Sequence, residues 1–232
     1  MTSYPSALVA AVLALLLAAC GAPAPREPDW RGAARGALND YVRLRLEGHD
    51  AAAARTYISA LERMRDGGDL DGLHTVVLAR CAMDSALLKN AECSEFSRRA
   101  TGARAEALAY HDWLLGTLPA SRVAELPERY RVFAMTLASG QTPAVTTALR
   151  AITDPVSRMV ATGVAQRTRR LEATALADSA QVARAQGWRA AHLAYEEARA
   201  QMLESTGQQT EAAAVRARLR ALFAAELAGT PP

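Results

Sequence analysis

The chain has 232 residues, half of them apolar, with 27 basic and 24 acidic side chains and a formal net charge of +3. That length supports one or two domains around a sizeable core. Acidic residues are interspersed with the arginines and only 5% of residues are aromatic, a pattern that excludes a nucleic-acid-binding surface.

The first element runs from Ala7 to Ala19 (ALVAAVLALLLAA), an apolar stretch with the length of a secretory hydrophobic region. It is too short to cross a membrane as a helix, which takes about 20 residues. Ala18 and Ala19 close it, Cys20-Gly21 follows, and Met1 to Ser6 carry no Lys or Arg. The segment Leu17-Ala18-Ala19-Cys20-Gly21 resembles the lipobox of bacterial lipoproteins, in which the cysteine sulfur is diacylated and the chain is cut just before it. The resemblance implies a signal peptide over 1–19, a lipid-anchored Cys20 and, with Gly21 rather than Asp next, the periplasmic face of the outer membrane. Two or three acyl chains on one cysteine suffice for stable anchoring. Residues 20–29 then form a tether, because Pro23, Pro25 and Pro28 cannot continue a helix and favour extended chain. Without the resemblance, the run reads as a buried helix that ends in cysteine.

From Trp30 to Leu227 the apolar residues recur at helical spacing, with no alternation of the kind strands need. Residues 30–229 are therefore predicted to form a single all-α domain of nine or ten helices joined by short turns. Leu38, Tyr41, Val42 and Leu46 mark the first helix, stopped at Gly48. Asp50 is placed to cap the second, with Ala53, Tyr57, Ile58, Leu61 and Met64 on one face and Gly67-Gly68 at its end. Leu70, Leu73, Val76, Val77, Met83 or Ala82, and Leu87 outline the third. Pro127, Pro143 and Pro155 sit where a first helical turn tolerates proline, and Thr142 and Asp154 are placed as caps before two of them. The last two helices are predicted over 188–205 and 210–228. Trp113, Trp188, Tyr195, Tyr130 and Phe133 read as core.

Once Cys20 is acylated, Cys81 and Cys93 remain, an even pair suited to an oxidising compartment. Unbroken helix would hold them about 18 Å apart, far beyond the ~4.4–6.8 Å that a disulfide allows. A bridge requires a break between them, and Lys89-Asn90-Ala91-Glu92 offers one if the helix ends near Lys89. Two separate buried thiols are the other reading.

A glycine-led signature recurs. Gly48 is followed by Ala53, Tyr57 and Ala60; Gly140 by Val145, Leu149 and Ile152; and Gly207 by Ala212, Arg216 and Leu219. Gly187 precedes Trp188, Ala191, Tyr195 and Ala198, the same series shortened by one residue. The pattern resembles the second half of a tetratricopeptide motif, with glycine ending one helix, small residues where two helices touch, and an aromatic filling the gap. Small residues one turn apart let helices approach closely, and a bulkier one plugs the groove between turns. The resemblance implies a helical-hairpin solenoid; an irregular helical bundle is the alternative architecture.

The search for chemistry finds no nucleophile elbow, phosphate loop, metalloprotease helix or paired-cysteine zinc site. Asp66, Asp69, Asp71 and Gly72 fail as a calcium loop, because the first and twelfth ligand positions fall on Gly67 and Leu78. They are better placed to break one helix and cap the next. His111-Asp112 and His192 with Glu196 lack a third ligand or an oriented nucleophile, and Glu128 and Glu196-Glu197 carry no mark of a cleft. No catalytic residue, metal site or cofactor is expected. The expected function is a periplasm-facing lipoprotein acting as a protein-interaction scaffold or adaptor in the cell envelope, with another envelope protein as partner. The alternative is a glycan- or lipid-binding module that uses an arginine-rich face, drawn from Arg98/Arg99, Arg167/Arg169/Arg170 and Arg216/Arg218/Arg220.

Overall fold

The computed structural model describes residues 29–90 and 92–229, with side chains as far as residue 222. Among them stand eleven α-helices, one short 3-10 turn and no strand, so the domain is all-α as the apolar spacing predicts. The expected leader (1–19), Cys20 and the tether as far as Pro28 lie outside the described residues.

The helices are α1 (Asp29–Glu47), α2 (Asp50–Asp66), α3 (Leu70–Ala86), α4 (Ser94–Arg99), α5 (Ala105–Leu114), α6 (Glu128–Ser139), α7 (Thr142–Ala151), α8 (Pro155–Arg167), α9 (Ala173–Ala185), α10 (Arg189–Ser205) and α11 (Gln209–Gly229). The 3-10 turn Ala120–Glu125 lies between α5 and α6. The count exceeds the expected nine or ten because α4 has only six residues, too few to show a period. Several starts differ from expectation. His49, not Asp50, is the residue ahead of α2; Gln141 precedes α7 and leaves Thr142 inside it; Pro127 precedes α6. Asp69 and Asp154 do cap, accepting from the backbone N–H of Gly72 at 2.8 Å and of Ser157 at 2.7 Å. Ile58 and Leu70 are about half exposed, because the faces of α2 and α3 that carry them point away from the neighbouring helices.

Two helices form the centre. α3 buries residues on every side, from His74, Val76, Val77 and Leu78 to Cys81, Ala82, Met83, Ser85 and Ala86. α8 buries an unbroken run from Met159 to Ala165. Such all-round burial marks a core helix rather than a surface one. The two pack together, and the closest approach is at Gly163, where a Cβ would overlap the Ser85 carbonyl. Tyr195 ties α10 to this centre by donating from its buried hydroxyl to the Met159 carbonyl at 2.9 Å. Thr162 and Ser179 join α8 to α9 through their hydroxyls, 3.0 Å apart.

The remaining helices wrap this pair as hairpins. α1 packs along α2, α6 along α7, α9 along α10, and α10 again along α11. α10 also packs on α1, so the first hairpin meets a late one and the wrap closes on itself. Gly48 stands at that meeting, with φ +97 and the place of a Cβ 3.2 Å from Ala190 Cβ. Any side chain there would meet both backbone strain and a neighbour. One continuous core runs from Ala34 to Tyr195, and a second small cluster of Ala200, Leu203, Ala212, Val215 and Leu219 lies under α10 and α11. Each fully buried large side chain, such as Leu46, Leu114 or Leu126, contributes about 1.5–3 kcal/mol.

Candidate functional site

A groove of about 890 Å³ follows α3. Its floor is one face of that helix, from Asp71 through Leu78, Ala79 and Ala82 to Met83, together with Val160 of α8. At a rise of ~1.5 Å per residue, that stretch of helix is about 18 Å long. α1 supplies one wall with Asn39, Val42, Arg43 and Glu47; α5 supplies another with Arg104, Glu106, Ala107 and Tyr110. The ends of α6 and α8 and the turn before α10 complete it, bringing in Tyr130, Val156 and Trp188.

The groove is apolar below and charged at the rim, where several of the charges are paired. Arg43 pairs with Glu47 at 3.0 Å and with Asp40 at 3.2 Å, Arg104 pairs with Asp71 at 2.6 Å, and Arg129 lies over the Tyr130 ring. Tyr110 and Tyr130 stack on each other, with centroids 5.7 Å apart, and on Trp113 beneath them. Burial pushes both phenols above the usual tyrosine range, and Ser157 and Tyr110 ease Tyr130 part of the way back. These phenols stay neutral at physiological pH, hydrogen-bonding groups rather than charges.

His74 and Ser157 are the buried polar residues of this lining, 2% and 4% exposed. His74 Nε2 lies 2.8 Å from the Arg99 carbonyl oxygen, while Nδ1 has no partner. The ring is held edge-on to Phe96, which in turn lies against His111. No motif marks His74. The available signal was a histidine one turn into a helix that is apolar on every side.

The residues singled out from sequence fall into three groups. Cys20 lies outside the described residues. Cys81 and Cys93 are at disulfide distance, with Cα atoms 5.3 Å apart. The break that permits this comes three residues earlier than expected: α3 ends at Ala86, Leu88 takes φ +56, and Cys93 itself takes φ +49 ahead of α4. The repeat-packing positions of the signature lie as follows. Gly48, Gly140, Gly187 and Gly207 all have positive φ and end α1, α6, α9 and α10. Ala53, Tyr57, Ala60, Trp188, Ala191 and Tyr195 are buried, and Ala198 packs against the core while half-exposed. Arg216, standing where the signature wants an aromatic, instead reaches back to Glu197 and Glu204 of α10.

In the first of the two constellations with catalytic residue types, His111 lies between Ser97, whose hydroxyl is 3.3 Å from its Nε2, and Asp112. His111 Nδ1 lies 3.2 Å from Asp112, and Arg122 holds Asp112 at 2.7 Å and Glu125 at 2.9 Å. His192 bonds the Ala180 carbonyl at 3.0 Å rather than Glu196. The described residues contain no group of three or more potential metal ligands, and no described helix is long and apolar enough to cross a membrane. Many arginines are likewise engaged: Arg45 with Asp84 at 2.9 Å, Arg150 with Asp178 at 2.7 Å, and Arg199 with Glu211 at 2.6 Å. No known family, curated protein or solved structure matches this chain.

Proposed function

We propose that the protein is a membrane-anchored adaptor of the bacterial envelope, holding a segment of another envelope protein in the groove along α3. The observation that carries this reading is the groove itself, a preformed apolar floor about 18 Å long between charged rims. Its length suits a polypeptide, since five or six extended residues at ~3.3 Å each would follow it from end to end. Paired rim charges favour a partner selected by shape and apolar contact over one drawn in by net charge. Of the arginines from which a polyanion-binding face would be drawn, Arg99 pairs with Glu95 and Arg216 with Glu197 and Glu204, which weighs against that reading. The anchor rests on Leu17 to Gly21 and the tether that follows, which would present the domain a short distance from the membrane. In that setting the Cys81–Cys93 pair is an oxidised structural bridge.

The test is site-specific photocrosslinking in intact cells. A photoreactive residue at Ala79, in the groove, should yield a discrete protein adduct, and the same probe at Val132 on the exposed face of α6 should not. The adduct should disappear when Thr75, exposed in the same groove, is also changed to Arg. Equal adducts from both probes, or an Ala79 adduct that survives Thr75→Arg, would refute the groove as the docking site. Cys20→Ala should release the protein from the membrane fraction; continued membrane association would refute the anchor.

A further inference from the structure

We infer that Ser97, His111 and Asp112 form a second site, a serine hydrolase centre that cleaves short-chain carboxylic esters at the surface of the domain. The site goes beyond the adaptor reading and shares no residue with the groove along α3. His111-Asp112 lacks a nucleophile in the linear sequence, and the fold supplies one from fourteen residues earlier. The Ser97 hydroxyl lies 3.3 Å from His111 Nε2, and His111 Nδ1 lies 3.2 Å from Asp112 Oδ1. The carboxylate accepts, so Nδ1 carries the ring proton and Nε2 turns its lone pair to the hydroxyl. The three side chains therefore stand in the order nucleophile, base and orienting carboxylate.

The surroundings hold that order. The Phe96 ring lies against the imidazole, with centroids 4.9 Å apart, and the His111 side chain is 13% exposed. Asp112 gives its other oxygen, Oδ2, to Arg122 at 2.7 Å, which fixes the carboxylate beside the ring. The Cys93 carbonyl also accepts from the Ser97 hydroxyl, at 3.4 Å, so the resting proton is shared. Contacts of this length between nucleophile and base tighten when a substrate binds. Ser97 itself is exposed, so an acyl group attached to it points into solvent. That placement suits an acetyl group rather than a long acyl chain, and it leaves the alcohol free to be of any size.

The chemistry needs only the ester and water. Ser97 Oγ bonds to the ester carbonyl carbon as its proton passes to His111 Nε2. The bond from that carbon to the alcohol oxygen then breaks, and Nε2 returns the proton to the departing oxygen. Water repeats the sequence on the acyl-serine: its proton goes to Nε2, its oxygen bonds to the carbonyl carbon, and the acid leaves as Ser97 regains a proton. Arg98 and Arg99 follow Ser97 in the last turn of α4 and bring positive charge to the turn where the carbonyl oxygen becomes negative.

The test uses the purified full-length protein in detergent, a fluorophosphonate probe and p-nitrophenyl esters. The probe should leave an adduct that mass spectrometry places on Ser97, and p-nitrophenyl acetate should be turned over faster than the octanoate. Ser97→Ala should lose both adduct and turnover, and His111→Gln should slow labelling of Ser97 by roughly a hundredfold or more. Asp112 acts through His111 as a positioning residue, so Asp112→Asn should lower kcat with KM unchanged and Asp112→Glu should restore part of it. An unlabelled Ser97 in the wild type, or turnover that persists in Ser97→Ala, would overturn the site. Equal labelling of Ser97 in the wild type and a folded His111→Gln would overturn it too. If His111→Gln does not fold, Ser97→Ala decides, since an exposed serine is replaced there without loss of packing. Faster turnover of the octanoate would overturn the short-chain assignment.

Discussion

His74 of α3 donates from Nε2 to the Arg99 carbonyl at the end of α4, so the groove floor is braced by a six-residue helix. α4 has little core of its own beyond Phe96. It is held by that bond, by the Cys81–Cys93 pair, and by Glu95, which accepts from Tyr57 at 2.8 Å and pairs with Arg80 at 3.3 Å.

Replacing both Cys81 and Cys93 with Ser should therefore loosen α4 more than any other element. A bridge closing so short a loop is worth roughly 2–3 kcal/mol, which lowers the thermal midpoint by about 5–10 °C in a domain of this size. Hydrogen exchange should quicken over residues 93–99 and stay unchanged in α9–α11. Uniform quickening across the domain would show that α4 is not held locally.

Two glycine-to-alanine changes should have opposite signs. At Gly163 a methyl group meets the Ser85 carbonyl between the two central helices, and Gly163→Ala should cost about 2–3 kcal/mol. At Gly36, inside α1, nothing lies within 4 Å of the new Cβ, and Gly36→Ala should raise stability by about 0.5–1 kcal/mol. Chemical denaturation of the two variants reads both.

Alkaline pH should unfold the protein cooperatively. Burial raises the Tyr41 phenol to about 12, and Tyr57, Tyr110, Tyr130 and Tyr195 are raised as well. The native state thus keeps protons that the unfolded chain gives up near pH 10. The stability these tyrosines contribute is complete below pH 10 and drains away as pH climbs toward 12 and beyond. Phenolate absorbance near 295 nm should rise in one step together with loss of helical circular dichroism. A smooth titration with the helix signal intact would show the phenols to be solvent-accessible.

Tyr195→Phe should cost about 1–2 kcal/mol, because it strips one hydrogen bond from the joint between α10 and α8 without leaving a large cavity. Tyr110→Phe should cost less, since that ring is only half-buried. Thermal shift of the two variants side by side gives the order.

Much of the architecture was legible in the residues. The glycines at 48, 140, 187 and 207 each end a helix, and Ala53, Tyr57, Ala60, Ala191 and Tyr195, which follow two of them, are buried, because close packing demands small residues beside larger ones. Asp69 and Asp154 cap as their position before a helix suggests. The break that brings Cys93 back to Cys81 was required by distance alone. The closure of α1 onto α10 and the central pairing of α3 with α8 were not legible. A helix that is apolar all round names no preferred neighbour, and the Gly163–Ser85 contact leaves no periodic trace. The groove escaped for the same reason: its lining comes from six separate segments, and His74 is one histidine among ordinary core residues. Ile58 shows the reverse error, an apolar residue at helical spacing that faces solvent.

The contact between Gly48 and Ala190 joins residues far apart along the chain. Emerging from its N-terminus, the polypeptide can build the α1–α2 hairpin early, since those contacts are local. It cannot cover the remaining flank of α1 until the tenth helix arrives. The contact that closes the domain onto its first hairpin therefore forms only after most of the chain has been made. A truncation ahead of Trp188 would remove that contact, leaving an N-terminal hairpin whose bare flank is free to seek the wrong company.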